Sequence, residues 1–315
     1  MLGLIGRRLL ATVPLLFAMS FLVFSMVALV PGDPAVTLAG GSSASSQSVQ
    51  QIRASLHLNH AFLVQYWMWL SGAVHGNFGD SLYTHQPVVN ELSSRIPVTV
   101  GLAVAVFVLV IPFALLIGIA GGLRPGGVMD RALLFVTSLG VSVPAFWLAL
   151  VLISVFAINL HWVPPFGYTS FSADPVGWAK SIVLPATSLA VAAVAALSRQ
   201  VRVGLADTMQ SSFIRTAWAK GGSTRQVVVG HALKNSAIPA VTVLGLQVGS
   251  ILGATVLVEQ IFSIPGIGSY MLTAINNKDV PVVQAVALLF VVSNVVANLC
   301  VDIVYGYLNP KVRAA

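Results

Sequence analysis

Histidine is the residue type in this chain best suited to metal chemistry, and it is concentrated in one segment. Four of the six histidines are His57, His60, His75 and His85. Imidazole is a good ligand for nickel or copper, and the spacing of His57 and His60 places both on one face of a helix. No cysteine or cluster of carboxylates accompanies them. This pattern favours solvated surface histidines, so we predict no metal centre.

The chain lacks the motifs that mark several enzyme classes. It has no G-x-x-x-x-G-K-[ST] phosphate loop, no H-E-x-x-H zinc pair and no G-x-S-x-G nucleophile elbow. We therefore predict no catalytic residue and no ATP hydrolysis by this chain. A membrane-embedded enzyme would need a nucleophile and a base at membrane depth. The one embedded acid, Asp302, has no histidine in its apolar segment.

Polar side chains recur inside two apolar segments near the end of the chain. Asn294, Asn298 and Asp302 are four residues apart, which makes one polar stripe on a helix, and Gln247 and Ser250 lie one turn apart. Polar groups are costly in lipid and normally face protein or a water-filled cavity. Two interpretations stand: these residues line a pathway, or they form hydrogen bonds between helices.

Three glycines form a row in the segment that carries Gln247. Gly245, Gly249 and Gly253 are each four residues apart, and small residues at this spacing let two helices approach closely in lipid. The row either packs against another helix of the same chain or forms the interface with a second subunit.

The composition is that of an integral membrane protein. The 315 residues are 57% hydrophobic and 8% charged, whereas soluble domains carry about 25% charged residues. The net charge of +7 does not point to nucleic acid, because of where the charges lie. The only cysteine, Cys300, cannot form an intrachain disulfide.

Six predominantly apolar segments are long enough to cross a bilayer core of about 30 Å. The pair Arg7-Arg8 could mark a secretion signal, but no small-residue cleavage site follows, so we expect an uncleaved first span. The predicted spans are approximately Leu9–Val30, Val98–Leu123, Ala132–Ile158, Ile182–Leu197, Ala240–Val258 and Val282–Tyr307.

Basic residues are distributed unevenly between the two sides of this topology. Six spans place both termini on one side, and the segments on that side hold 12 of the 16 basic residues. The other side holds Arg53, Arg95, Lys180 and Lys278. By the positive-inside rule the termini are predicted to be cytoplasmic.

The outer segment after the first span is too long to be a simple connection. After a Gly/Ser-rich linker it should form two helices, near Ser48–Leu58 and Ala61–Val74. Glu259 and Asp279 belong to the last outer loop, where we expect them to receive a docking partner or to be solvated.

The stretch Ser212–Pro239 is the most cationic part of the chain. Phe213, Ile214, Ala217 and Trp218 share one helix face, with Arg215 and Lys220 off it. Gly221-Gly222 should end that helix, and Ser223 with Gln226 has the form of a capping box that starts another. Pro239 would then begin the next apolar segment. The apolar face needs a cover, either a soluble partner or the lipid headgroups.

This stretch resembles the cytoplasmic EAA loop of bacterial ABC-importer permeases, most closely that of the dipeptide, oligopeptide and nickel branch. Arg215 stands where the general motif has glutamate, as is usual for this branch, whereas Gly222 and Gly230 replace bulkier or basic residues. Further similar motifs cover nearly the whole chain. The motifs that carry the resemblance are Arg215-Thr216-Ala217, Gly221, His231-Ala232-Leu233-Lys234-Asn235, Pro239, Pro31-Gly32-Asp33-Pro34, Phe78-Gly79-Asp80-Ser81-Leu82, Ser142-Val143-Pro144-Ala145-Phe146-Trp147 and Phe262-Ser263-Ile264-Pro265-Gly266-Ile267-Gly268.

The resemblance implies an all-α, multi-pass protein of the bacterial inner membrane with the type I permease fold of ABC importers. The chain would comprise a first helix (1–30), an extracytoplasmic loop (31–97), a five-helix permease core (98–307) containing the coupling loop (199–239), and a tail (308–315). The residues expected to couple the chain to an ATPase are Phe213, Ile214, Arg215, Thr216, Ala217, Trp218, Lys220 and Gly221.

The partners that the resemblance implies are a second similar permease, two ABC ATPase subunits that bind ATP and Mg, and an extracytoplasmic binding protein, besides membrane lipids. No cofactor is expected in this chain, and no nucleic acid. Short peptides are the expected cargo. The alternatives are a nickel or other metal-complex importer, for which the outer histidines speak, and, from other classes, a membrane-embedded enzyme or a scaffold that does not transport.

Overall fold

The computed structural model describes residues 2–26, 33, 35–36, 39–56 and 58–308. Across these residues the chain is almost entirely helical, and its one extended pairing is an isolated antiparallel bridge between Asp80 and Pro87. The predicted all-α class is confirmed for this part of the chain.

The helices are numbered in chain order. The first four are α1 (Leu2–Ser25), α2 (Ser46–Ser55), α3 (Phe62–Val74) and α4 (Val88–Leu123). The next three are α5 (Val128–Ser142), α6 (Ala145–Leu152), which a π-helix (Ile153–Asn159) extends, and α7 (Pro175–Met209). The remainder are α8 (Ser212–Ala219), α9 (Thr224–Val227), a π-helix (Val228–Ala232), α10 (Leu233–Ile261), α11 (Ile267–Asn276) and α12 (Val280–Leu308).

Four of these helices are long and apolar enough to cross a membrane, and a bent pair makes a fifth candidate. The long ones are Val88–Leu123, Pro175–Met209, Pro239–Ile261 and Val280–Val304. The apolar part of α1, Thr12–Ser25, is shorter, and residues 27–30 of the predicted first span lie outside the described residues. The prediction of six spans therefore stays a prediction.

The predicted third span, Ala132–Ile158, is not one continuous helix. α5 and α6 meet at a bend of 98° at Val143 and Pro144. A residue before proline is pushed into the extended region, and Val143 has φ −86° and ψ 121°. Pro144 is extended as well, so it precedes α6 instead of kinking a longer helix. Proline thus breaks the helix inside this apolar segment, and the bent pair together still qualifies as one candidate span.

The chain divides into two compact units. The first consists mainly of Val100–Ile264 with the end of α12, and the second mainly of Arg7–Thr99 and Pro265–Val295. Helix α7 is central to the first unit, where it packs against α5, α6 and α10. Its apolar window is 67% buried, compared with 28% or less for the other three long spans. The alanine-rich run of α7 permits this close packing.

An ion pair joins α5 to α7 in the first unit. Arg202 Nη2 donates to Asp130 Oδ2 at 2.6 Å, Nε donates to Oδ1, and the backbone N–H of Gly126 donates to Oδ2 at 2.8 Å. Asp130 is only 1% exposed. A buried carboxylate needs a bidentate partner such as this guanidinium group, because an unpaired charge there would be strongly destabilising. These two charges therefore act within the chain.

The second unit is built on aromatic packing between α1 and α3. The Tyr66 ring lies 5.3 Å from Phe21 and 5.7 Å from Phe24, and its hydroxyl shares a 2.9 Å hydrogen bond with Ser20. Farther along, Tyr270 on α11 has Arg95 stacked on its ring at 4.6 Å. Burial, with the nearby Glu91 and Asp279 carboxylates, raises the pKa of Tyr270 to about 12.

Glu259 and Asp279 are buried, so the prediction that they are solvated or docking acids is wrong. Asp279 accepts hydrogen bonds from the Ser81 hydroxyl and, at 3.0 Å, from the Leu82 backbone N–H. It thus fixes the loop before α4 to the start of α12. The prediction for Asp279 failed because its hydrogen-bond donors come from a loop that is distant in the sequence.

The three glycines of the row in α10 have different surroundings. A Cβ at Gly245 would lie 2.5 Å from Val301 Cγ2, so α10 and the end of α12 approach closely at this point. A Cβ at Gly253 would meet nothing within 4 Å, and Gly249 is half-buried. Gly245 therefore packs within the chain, whereas Gly253 leaves space beside it.

Gly245→Val should destabilise the chain by about 1–3 kcal/mol, because the new methyl groups overlap Val301. Gly253→Val is the matched control, since it makes the same change on the same helix in open space. Thermal unfolding in detergent measures both. Equal melting temperatures for the two variants would contradict the close approach.

Candidate functional site

Residues 212–232 fold as a helical hairpin whose turn is set by glycine. The N–H of Gly221 donates to Trp218 O at 2.9 Å, and that of Gly222 donates to Ala217 O at 3.2 Å. This pair of bonds is the Schellman ending of a helix, which needs a left-handed residue. Gly221 has φ +80°, and no atom would crowd a Cβ there, so backbone conformation alone requires the glycine.

Gly222 lies in a tight space and not in a left-handed conformation. A Cβ at Gly222 would lie 3.0 Å from both Ala217 O and Val227 Cγ2, so a bulky residue would push the two arms of the hairpin apart. The departure from the family pattern at this position is thus matched to a tight turn.

The second arm starts at the predicted capping box. The N–H of Gln226 donates to Ser223 Oγ at 3.4 Å, and Gln226 Oε1 accepts from the Ser223 N–H at 2.9 Å. Both bonds of the motif are present, so this prediction is confirmed.

The second arm is not a separate short helix. α9 continues through the π-helix Val228–Ala232 into α10, and Pro239 lies inside α10. Pro239 does begin the apolar stretch that is long enough to cross a membrane, as predicted, but the helix continues through it without a break. The hairpin and α10 therefore share one continuous helical backbone.

The inner side of the hairpin packs on the end of α7. Leu205 of α7, Ile214 of α8, and Val227, Val228 and Ala232 of the second arm form one buried cluster. Ala217 packs at its edge, together with Ile119 of α4. The hairpin is thus attached to the first unit by its own side chains.

The predicted apolar face of α8 is divided between two sides. Ile214 is fully buried, whereas Phe213 is 45% exposed and Trp218 is 40% exposed. At about 100° per residue, Phe213 and Trp218 lie at opposite edges of an arc about 140° wide, with Ile214 and Ala217 between them. The protein covers the middle of this arc, and the two aromatic edges stay outside.

The outer side of the hairpin combines these aromatic side chains with positive charge. Arg215, Lys220, Arg225 and His231 are exposed, and Val229 is an exposed aliphatic residue. A groove of about 830 Å³ lies along the two arms and is lined by Lys220, Arg225, Val229 and His231 among others. Thr216 is exposed, with its hydroxyl bonded to Ser212 O at 3.1 Å. We call this the basic outer face.

The other candidate residues are distributed along α10 and α12. Gln247 is half-buried and Ser250 is exposed on α10. On α12 Asn294 and Asp302 are half-buried and Asn298 is exposed. Because α12 is continuous through all three, their four-residue spacing does produce one stripe. That any of these residues lines a pathway stays a prediction.

The histidines form no metal set within the described part of the chain. No three His, Cys, Asp or Glu side chains lie together there as possible ligands. His75 Nδ1 is hydrogen-bonded to Ser71 O at 2.7 Å, and His57 lies outside the described residues.

Comparison with known proteins identifies the family. Residues 111–314 match the family described as the binding-protein-dependent transport system inner membrane component, and residues 1–103 match its N-terminal region family. The chain belongs to this family. The membership predicted from the motifs is confirmed, and the chain is a transport permease of a multi-pass inner-membrane type.

Relatives of similar length agree along the whole chain. A probable peptide ABC transporter permease of Sinorhizobium fredii is 37% identical over 307 residues, covering 98% of each chain. A putative peptide transport system permease of Brucella abortus is 36% identical over 313 residues, covering 99% of each. The glutathione transport system permease GsiC of Escherichia coli is likewise 36% identical over 313 residues, covering 99% of each.

Sequence reasoning missed the residues that hold the hairpin in place. Leu205 and the valines 227 and 228 were not among the predicted site residues, and neither were Val229, Arg225 and His231 of the basic outer face. The signal was present for Leu205, because Ser198, Val201 and Leu205 recur at helical spacing and all are buried. It was overlooked because α7 was expected to end at Leu197.

Ile214→Ala should loosen the hairpin locally, because it empties the centre of the buried cluster, at a cost of about 2–5 kcal/mol. Amide hydrogen exchange of residues 212–232 in the purified chain measures the effect. Phe213→Ala, one residue earlier on the same helix but exposed, should leave the exchange rates nearly unchanged. Similar exchange rates in both variants would argue against the cluster.

Proposed function

We propose that the chain is the permease subunit of an ATP-driven importer for short peptides. Three relatives that match nearly its full length are named for peptide or glutathione transport, and glutathione is itself a tripeptide. The observation that carries the mechanism is the hairpin, which offers exposed aromatic side chains and positive charge to a partner while its helical backbone continues into α10.

In this proposal the basic outer face docks an ATPase subunit. The chain has no phosphate loop in its sequence, so ATP and Mg are bound and used by that partner. Movement of the docked ATPase shifts the hairpin, and the shift reaches α10 through the π-helix and α7 through the Leu205–Ile214 contact. Phe213, Arg215, Thr216, Trp218 and Lys220 face the partner. Ile214, Ala217 and Gly221 hold those side chains in position.

The charge of the face defines the chemistry of its partner. The face carries four exposed cationic or protonatable side chains together with exposed apolar ones, so the matching cleft should combine apolar surface with carboxylates. An acidic rim would also increase the association rate at low ionic strength.

The remaining partners follow from the same proposal. A second, similar permease completes the pathway, and the open side of α10 at Gly253 suits close approach of its helices. The polar residues Gln247, Ser250, Asn294, Asn298 and Asp302 would then face the pathway or the helix interfaces. An extracytoplasmic binding protein delivers the peptide, and both termini lie in the cytoplasm.

Trp218→Ala combined with Phe213→Ala should abolish peptide uptake by proteoliposomes that contain the whole complex, because the ATPase loses its two aromatic contacts. Phe135→Ala changes another exposed aromatic residue, on α5 and outside the hairpin, so it is the control and should keep uptake near the wild-type rate. Normal uptake by the double variant would contradict docking at this face. Ala217→Arg is a poorer test, since Ala217 packs inside the hairpin and the arginine would disturb its fold.

Lys220→Glu with Arg225→Glu should reduce recovery of the ATPase with the permease, and wild-type recovery should fall as ionic strength rises. Arg131→Glu, also exposed but remote in sequence from the hairpin, is the control. Affinity purification at low and high salt measures recovery. Recovery of the ATPase could instead be unchanged by the substitutions and by salt, while binding of the permease to anionic vesicles falls. In that case the face lies on lipid and the docking proposal fails.

A further inference from the structure

The second unit contains a cavity that the coupling mechanism does not use. Its volume is about 950 Å³, and its walls come from α1, α2, α3, the loop 77–85 and the start of α12. This volume lies in the range of sites for small organic ligands. All its walls belong to the same compact unit, and most of them come from the segment predicted to lie outside the membrane.

The loop that forms one wall is held in a fixed conformation. The Gly79 N–H donates to Asn77 Oδ1 at 2.9 Å, and the Ser81 N–H donates to Gln86 O at 2.9 Å. The Leu82 N–H donates to the buried Asp279 carboxylate at 3.0 Å. Asp80 lies between these anchored residues, so its backbone is set before any ligand arrives.

A hydrogen-bond acceptor and a hydrogen-bond donor line this cavity, and neither has a partner among the described residues. The Asp80 side chain is exposed and has no hydrogen-bond or ion-pair partner among the described residues. The Trp69 indole N–H is buried and has no acceptor within the same part of the chain. A buried donor without an acceptor is costly, so a ligand oxygen there would gain a hydrogen bond at little further desolvation.

The rest of the wall is aromatic. Phe24 lies 5.6 Å from Trp69 and 5.3 Å from Phe62 between ring centroids, and all three rings line the cavity. Such faces attract cations as well as small apolar groups. Gln284 is already bonded to Phe24 O at 3.2 Å, so it helps to fix the wall.

We propose that this cavity binds a short peptide with a free amino terminus. The ammonium group pairs with Asp80 beside the aromatic wall, and a peptide carbonyl or terminal carboxylate accepts the Trp69 indole hydrogen bond. The inference rests on the proposed peptide cargo and adds a receiving site within the permease itself. Phosphatidylethanolamine offers the same ammonium and oxygen groups. We assign the site to free peptide because most of the walls lie in the predicted extracytoplasmic segment.

Equilibrium dialysis of trialanine against the full chain in phosphatidylcholine nanodiscs tests the assignment. Trialanine should bind, and N-acetylation of the peptide or Asp80→Asn should each weaken binding by at least about tenfold, since each removes one charge of the pair. Trp69→Phe keeps the ring and removes the donor, so it should weaken binding by about three- to tenfold.

Matched variants separate a binding role from a folding role. Trp67→Phe changes an exposed tryptophan on the same helix that does not line the cavity, and Asp207→Asn removes an exposed carboxylate elsewhere. Both should bind trialanine as the wild type does. Equal melting temperatures of the two tryptophan variants would show that Trp69→Phe acts on binding alone.

Two results would overturn the proposal. One is no saturable binding, or equal affinities in the Asp80 and Trp69 variants and their controls. The other is loss of trialanine binding when phosphatidylethanolamine replaces phosphatidylcholine, which would identify a lipid headgroup as the occupant. Loss of binding with intact ATP-driven uptake would reject this site alone. Intact binding with no ATP-driven uptake would reject the proposed function alone.

Discussion

The packing of the 212–232 hairpin on the end of α7 fixes which side chains of α8 are covered and which are exposed. Ile214 is buried against Leu205 and the two valines of the second arm, and this contact determines which way α8 faces. Because Ile214 is turned inward, Phe213 and Trp218 are held outward at the edges of the same helix. A helix of eight residues has little stability alone, so this contact also maintains its fold.

The membrane imposes a second constraint. Backbone groups in lipid must be satisfied within the chain, which favours helices that continue across weak points. α10 passes through Pro239 for this reason and joins the hairpin without a flexible connection. α7, whose apolar window is the most buried of the four long spans, contacts the hairpin through Leu205.

The charged residues discussed above fall into two groups with different roles. Asp130 and Arg202 neutralise each other inside the first unit, and the Asp279 carboxylate accepts hydrogen bonds from the loop before α4. These charges hold helices and loops in place. Those of the basic outer face, and Asp80 in the second unit, remain exposed. An exposed charge beside aromatic or aliphatic surface, on a backbone that is already fixed, is the arrangement expected of a recognition surface.

Features that depend on a few neighbouring residues can be predicted from the amino-acid sequence. Gly221 ends α8 and Ser223 with Gln226 starts the second arm, because those hydrogen bonds span three to five positions. The all-helical class follows equally from composition. Three other features emerge only in the folded chain: Ile214 is covered while Trp218 is not, Gly245 is in contact while Gly253 is open, and Asp279 is buried. Each of these depends on a residue of another element, such as Leu205 on α7, Val301 on α12 or Ser81 in the loop before α4. Hydrophobic periodicity carries no information about which side chain of another element will meet a given face.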